Sequence, residues 1–396
     1  LGLPHAFSQS KATSIGEPDP NAERILETQK VERLLPRLSD PGAAMFFLAG
    51  HYVQLGSAQK AIDSLKACVS REQGFDPADV RAFQALSSSP EFRRLVEQVR
   101  RRYPPVHHAR VAFTVQEADL FPEGLAADPE RKLLYMGSMH RKKIIKITQA
   151  GEVSDFVSSD LYHLMPVGGV KVDPVNHHVW AVTDPGEENR SELVHFDSGG
   201  KLLERFPAPG AGPHDLNDLV LRNQDEIYVT DTFGHRVYRF DRKARDFRTV
   251  AFPRPLLYPN GITVSGDTGL LYVADLLGVI QVDLRNGSAR EVNPGKHSTL
   301  AGIDGLYWYK GSLVGVQYGT GSHRVARWTL SSDGLRVTST SVLEYRSPLV
   351  SFPTTGAIVG QSFYYIANTG IGNLKDDTVV DVNKLEPVHI AVVPLK

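Results

Sequence analysis

Four oxygen-bearing side chains stand at matching places in this chain: Glu123, Asn217, Asn260 and Asp304. Each opens a dipeptide that precedes an alternating apolar stretch. The series runs Glu123-Gly124, Gly168-Gly169, Asn217-Asp218, Asn260-Gly261, Asp304-Gly305 and Thr355-Gly356. Its intervals are 45, 49, 43, 44 and 51 residues. Two carboxylates and two amides gathered at one point form a donor set of oxygen alone. Hard divalent cations prefer such a set, calcium first, magnesium or manganese next and zinc least. Without a cation, such groups in a protein interior carry the cost of unpaired buried polarity. Taken singly, Asn-Gly and Asp-Gly are common turn dipeptides, and Glu-Gly could be an accident of the surface. The shared register is what points to a site.

The elements around the series explain how such distant residues could meet. After each dipeptide comes a second strand: Tyr135-Met136, Trp180-Ala181, Tyr228-Val229, Tyr272-Val273, Leu313-Val314 and Tyr365-Ile366. A third follows at 143–147, 193–196, 236–240, 278–282, 324–328 and 388–392, and a weaker fourth follows five of the six. Four short strands repeated every 40 to 50 residues are the signature of propeller blades. Six dipeptides mean six blades. The last copy stops after its third strand, and residues 110–115 can supply the missing outer strand and close the ring. The first strand of each blade lines the channel, so the six positions converge on one axis. The expected fold is mainly β: a six-bladed β-propeller over residues 105–396.

Upstream the period is helical. Ala22, Ile25, Leu26, Val31, Leu34 and Leu35 give a broken amphipathic stripe that stops at Pro36. Asp40-Pro41 is an N-cap followed by the favoured first helical residue. A helix to Tyr52, a break at Gly56, a second helix from Ala58 to Cys68 and a third from Pro90 to Arg102 complete residues 21–104. The middle pair resembles one tetratricopeptide helix–turn–helix unit. A single hairpin cannot bury its own apolar face, so it must dock on something, and a protein partner is one candidate. Residues 1–20 read as a polar, unstructured lead-in.

Composition narrows the function. The 396 residues hold 44 Lys+Arg against 45 Asp+Glu, a net charge of −1, which argues against nucleic acid or an anionic membrane surface as partner. The apolar runs fall short of the ~20 residues of a membrane span. The lone cysteine, Cys68, excludes an intrachain disulfide framework and a thiolate metal cage. No Gly-rich phosphate loop joins a strand to a helix. The absence of an initiator Met and the polar lead-in point to an exported chain, while one unpaired Cys fits a cytosolic protein equally well.

The stretches Phe121–Pro129, Leu216–Leu219, Pro259–Ser265 and Ile303–Leu306 resemble the motifs of the gluconolactonase/regucalcin (senescence marker protein) family. They are also similar to the related paraoxonase and strictosidine-synthase-like propellers. The resemblance covers roughly residues 106–396 and leaves the helices outside. It implies Glu123, Asn260 and Asp304 as ligands of one divalent cation and Asn217 as ligand or substrate contact. It further implies Asp304 as general base. Three departures matter. Asp215 stands where gluconolactonase-type members carry a sugar-acid-binding Arg. Gly168-Gly169 replaces the catalytic His of paraoxonases. Gly124 replaces an acid of their second calcium site, though Asp218 is retained, so one metal is expected.

A cation at such a place polarises a lactone or ester carbonyl, and a carboxylate base serves the attacking water. The expected activity is therefore hydrolysis of a small-molecule lactone or ester. Loops after the second strands should wall the pocket, which makes His140, Arg190, His235, Tyr318 and His323 substrate-contact candidates beside Asn217. His214 and Asp215 lie close enough to assist from behind. Two rivals stand beside this reading. One is a non-catalytic propeller whose metal pins the ring while its surface binds a partner. The other is a condensation enzyme of the strictosidine-synthase kind.

Overall fold

The computed structural model describes residues 20–184, 190–375 and 378–396. The lead-in expected at 1–20 therefore lies, except for Pro20, outside the described residues. Six antiparallel sheets of four strands or more follow one another along the chain and form the six blades. Blade 1 spans Pro122–Asp128, Leu133–Ser138, Lys143–Thr148 and Val153–Val157 in that order from the axis outward. Blades 2 to 5 begin with Val167–Val172, Leu216–Leu221, Ile262–Val264 and Ile303–Tyr309. Blade 6 consists of Gly356–Val359, Ser362–Ile366 and Val388–Pro394, completed by the upstream strand Arg110–Val115. This closes the ring, by pairing that runs from Arg110 opposite Val392 to Val115 opposite Val388.

The sequence dipeptides turn out to be β-bulges. In blade 1, Pro122 pairs with Ser138 and Leu125 with Met136, so Glu123 and Gly124 together face one partner residue. The same extra residue occurs at Gly168-Gly169, Asn217-Asp218 and Asp304-Gly305. In blade 4, Asn260 and Gly261 both bond to Ala274, at 2.9 and 2.8 Å. A bulge bends its strand and re-aims a side chain, which turns these positions toward the axis. Glycine at the second place then lets adjacent inner strands touch. A Cβ on Gly124 would sit 2.2 Å from the carbonyl oxygen of Gly168, and one on Gly261 would sit 2.2 Å from that of Asp304.

Four α-helices precede the ring: α1 Pro20–Leu34, α2 Pro41–Gln54, α3 Ala58–Val69 and α4 Pro90–Arg102. Gly56, with φ of 73°, makes the turn between α2 and α3. Phe46, Leu65, Cys68, Phe83 and Phe92 form a core among these helices, and Ala301 of the propeller joins it. A second cluster joins Val31, Ala44, Phe47 and Leu48 to Leu257 and Leu277 of blade 4. The hairpin thus docks on its own propeller. No helix among the described residues is long and apolar enough to cross a membrane.

Some elements were not legible in the sequence. Val106–His107 adds a fifth strand to blade 5, opposite Tyr345 and Glu344. A short excursion, with a 3-10 turn at Ile371–Asn373 and a two-stranded ribbon of Leu374–Lys375 and Thr378–Val379, interrupts blade 6.

Candidate metal and catalytic site

Glu123, Asn217 and Asp304 ride on bulges, and Asn260 on the matching turn into blade 4; Glu123, Asn260 and Asp304 come close enough to interact. Their mutual electrostatics show the convergence. Glu123 is raised well above the usual carboxylate range by burial first, then by the charges of Asp304, Asp215 and Asp218. Asp304 is pushed up to about 7 by burial, with Asp218 adding to the shift and the Asn260 amide opposing it. Tyr318 is raised by burial and then by Asp304 and Glu123. Acids from blades 1, 3 and 5 therefore sense one another across the axis, with Tyr318 beside them. Asn217 and Asp304 are buried, while Glu123 and Asn260 keep part of their surface in solvent.

Oxygens without partners concentrate here. Among the buried polar atoms that make no hydrogen bond are Oδ1 of Asn260, Oδ1 of Asp304, Oδ1 of Asp215 and Oδ2 of Asp218. Each unmatched group costs about 1–3 kcal/mol. A divalent cation at the axis would use the first two, and its charge would offset the clustered acids, so the donor set fits such an ion. Among the described residues no three His, Cys, Asp or Glu side chains form a metal-ligand cluster. The candidate set holds just two carboxylates, its other members being amides.

One positive charge is already built in. Lys171 Nζ lies 2.7 Å from Asp218 Oδ1 and 5.7 Å from the centre of the Tyr307 ring. Both Lys171 and Tyr307 sit three residues beyond the first residue of their blade's dipeptide. Comparison of that position across the six repeats was the signal that could have found them.

The mouth of blade 3 carries a polar cluster. Asp215 is buried and pushed up to about 7, by burial first and then by Asp231, with a hydrogen bond to Asp184 opposing the shift. His214 is buried too, its Nδ1 lying 2.7 Å from Asp231 Oδ2. Asp231 Oδ1 accepts the N–H groups of Asp215 and Gly234, both at 2.9 Å. Asp184 and Asp231 were not singled out from sequence. Both come at the end of a second strand, where loops turn back to the axis.

The other expected contacts scatter around the rim. His140 places Nδ1 2.8 Å from the Asp119 carbonyl and borders a groove of about 430 Å³ with Arg141, Lys142, Ser159, His163 and Leu164. His235 accepts the Tyr258 N–H on Nδ1 at 3.2 Å, and burial lowers its pKa. His323 accepts the Phe352 N–H at 3.3 Å and is lowered to about 4 by burial. Arg190 is exposed, next to residues 185–189, which lie outside the described ones. Of the five loop candidates, Tyr318 feels the charges of Asp304 and Glu123.

No family model matches the chain, and no curated protein matches it. Solved structures do. A gluconolactonase of Xanthomonas campestris aligns with a TM-score of 0.52 at 17% identity, over 74% of this chain and 97% of its own. A luciferin-regenerating enzyme aligns with a TM-score of 0.49 at 14% identity, over 71% and 94%. The virginiamycin B lyase of Staphylococcus aureus aligns with a TM-score of 0.48 at 16%, over 65% and 80%. At these identities the first likeness shows the fold.

Proposed function

We propose that this protein is a divalent-metal-dependent hydrolase of a small-molecule lactone or ester. One observation carries the reading. Glu123, Asn260 and Asp304, from three different blades, lie within electrostatic or hydrogen-bond reach of one another, and Asn260 and Asp304 each hold a buried oxygen that makes no hydrogen bond. Glu123, Asn217, Asn260 and Asp304 would hold the ion, with calcium the best match to an all-oxygen set. Bound there, it supplies electrophilic polarisation of the substrate carbonyl. Asp304 would be one of its ligands and, as the resemblance implies, a candidate for the proton acceptor. Tyr318 lines the approach. Lys171 supplies one fixed cation to the acid cluster, which suits a single metal. The likeness to a gluconolactonase supports a lactone, while Asp215 in place of an arginine argues against a sugar acid.

Hydrolysis of a panel of lactones and aryl esters, with and without chelator, tests the proposal. Asp304→Ala and Asn260→Ala should each lose metal and activity together. A protein that binds calcium yet leaves every substrate untouched is a scaffold.

A further inference from the structure

A hydrolase of this kind has to move a proton between water and the leaving oxygen, and blade 3 holds a histidine–aspartate pair of the type that can do so. His214 is 6% exposed. Its Nδ1 is held at 2.7 Å by Asp231, itself fully buried. Two backbone N–H groups fix the other Asp231 oxygen, at 2.9 Å each. The remaining ring nitrogen, Nε2, is buried and makes no hydrogen bond. A carboxylate that accepts from Nδ1–H sets the tautomer that leaves a lone pair on Nε2, and it favours the imidazolium formed on proton uptake.

Blade 4 shows what plain anchoring looks like at the same place. Its second strand ends in Asp275, which accepts N–H groups from Leu257, Leu277 and Gly278 and pairs with Arg254. Arginine fills that role with a permanent charge and no base. Blade 3 has a histidine with a spare basic nitrogen instead, three residues before Asn217.

We propose that His214 is a catalytic residue of this site, the base that takes the proton of the attacking water, with Asp231 as its positioning residue. The proposal rests on the hydrolase reading and leaves Asp304 chiefly to hold the metal. Nε2 removes one proton from water as the water oxygen bonds to the carbonyl carbon and the C=O π pair moves onto oxygen. When that pair returns, the bond from carbon to the ester or ring oxygen breaks, and Nε2–H gives its proton to the departing alkoxide. One water is consumed, and the imidazole is regenerated.

The test compares wild type, His214→Asn and Asp304→Asn, each in calcium, on a substrate that the wild type hydrolyses. Asparagine keeps a donor near Nδ1 for Asp231 and deletes Nε2. His214→Asn should bind calcium with wild-type affinity, lose kcat by about a hundredfold or more with KM little changed, and regain activity with added imidazole. Asp304→Asn should lose calcium binding as well as activity. Nitrogen-15 NMR of the wild type near neutral pH gives a second readout that needs no variant, and it should find Nε2 unprotonated and Nδ1 protonated. If His214→Asn keeps wild-type kcat, or Nε2 carries the proton, the assignment falls while the hydrolase reading stands. If calcium-loaded wild type hydrolyses nothing, both fall together.

Discussion

Asp304 and Asp215 are both pushed up to about 7, and Glu123 is raised as well, in each case by burial first. These acids bind protons more tightly in the folded protein than in the unfolded chain. Their contribution to stability is full below the unfolded carboxylate range and is lost as pH rises through about 7. Metal-free protein should therefore melt at progressively lower temperature from about pH 5 to about pH 8. A cation favours the ionised form, so calcium should raise Tm more at the upper pH than at the lower. Calorimetry with and without chelator checks both signs, and a Tm independent of pH would contradict the clustering. The four donors were legible in the sequence because the repeat puts them in register. Lys171 and Asp231 were not, because their importance comes from neighbours in adjacent blades or loops that the linear pattern does not pair.

At the scale of elements, the bulges do most of the positioning. Blade number, the three inner strands of each blade and ring closure could all be read from period-two alternation and spacing. The bulges could not, since one extra residue in an inner strand looks in sequence like a turn. Their glycines are tested directly. A methyl group on Gly124 or Gly261 would meet a neighbouring carbonyl oxygen at 2.2 Å, forcing inner strands apart. Gly124→Ala should cost about 1–3 kcal/mol, in the range of overpacked cores, and Gly261→Ala should in addition weaken calcium binding by shifting Asn260 against Asp304. Denaturant melts and calcium titration read the two effects separately. An unchanged melt for both would mean that the strands are not in contact at these points.

The whole molecule joins two parts that the sequence separated at residue 105. Their seam is polar as well as apolar. Thr299 donates its hydroxyl to Asp40 at the start of α2, and Gln73 donates to the Ser298 carbonyl at 2.7 Å. Asp76 N–H donates to the Thr320 carbonyl at 2.8 Å, and Ser322 reaches the Asp76 carboxylate at 2.9 Å. These contacts brace the loops that lead into Asp304 and out past Tyr318. Sequence showed that the hairpin needed cover but not what supplied it, because the surfaces that meet are far apart along the chain. Gly321 sits at the seam with φ of 99°, and a Cβ there would lie 1.7 Å from the Asp76 carbonyl oxygen. Gly321→Ala should lift this segment and speed proteolytic cleavage near Asp76, whereas an unchanged digestion pattern would deny the bracing. A cation on the axis is proposed to make the protein a hydrolase. Its most direct test is the rate of lactone hydrolysis by protein stripped of metal and then titrated with calcium. Activity should be absent in chelator and return in step with one calcium bound per chain, whereas calcium binding at the axis with no hydrolysis at any loading would contradict the account.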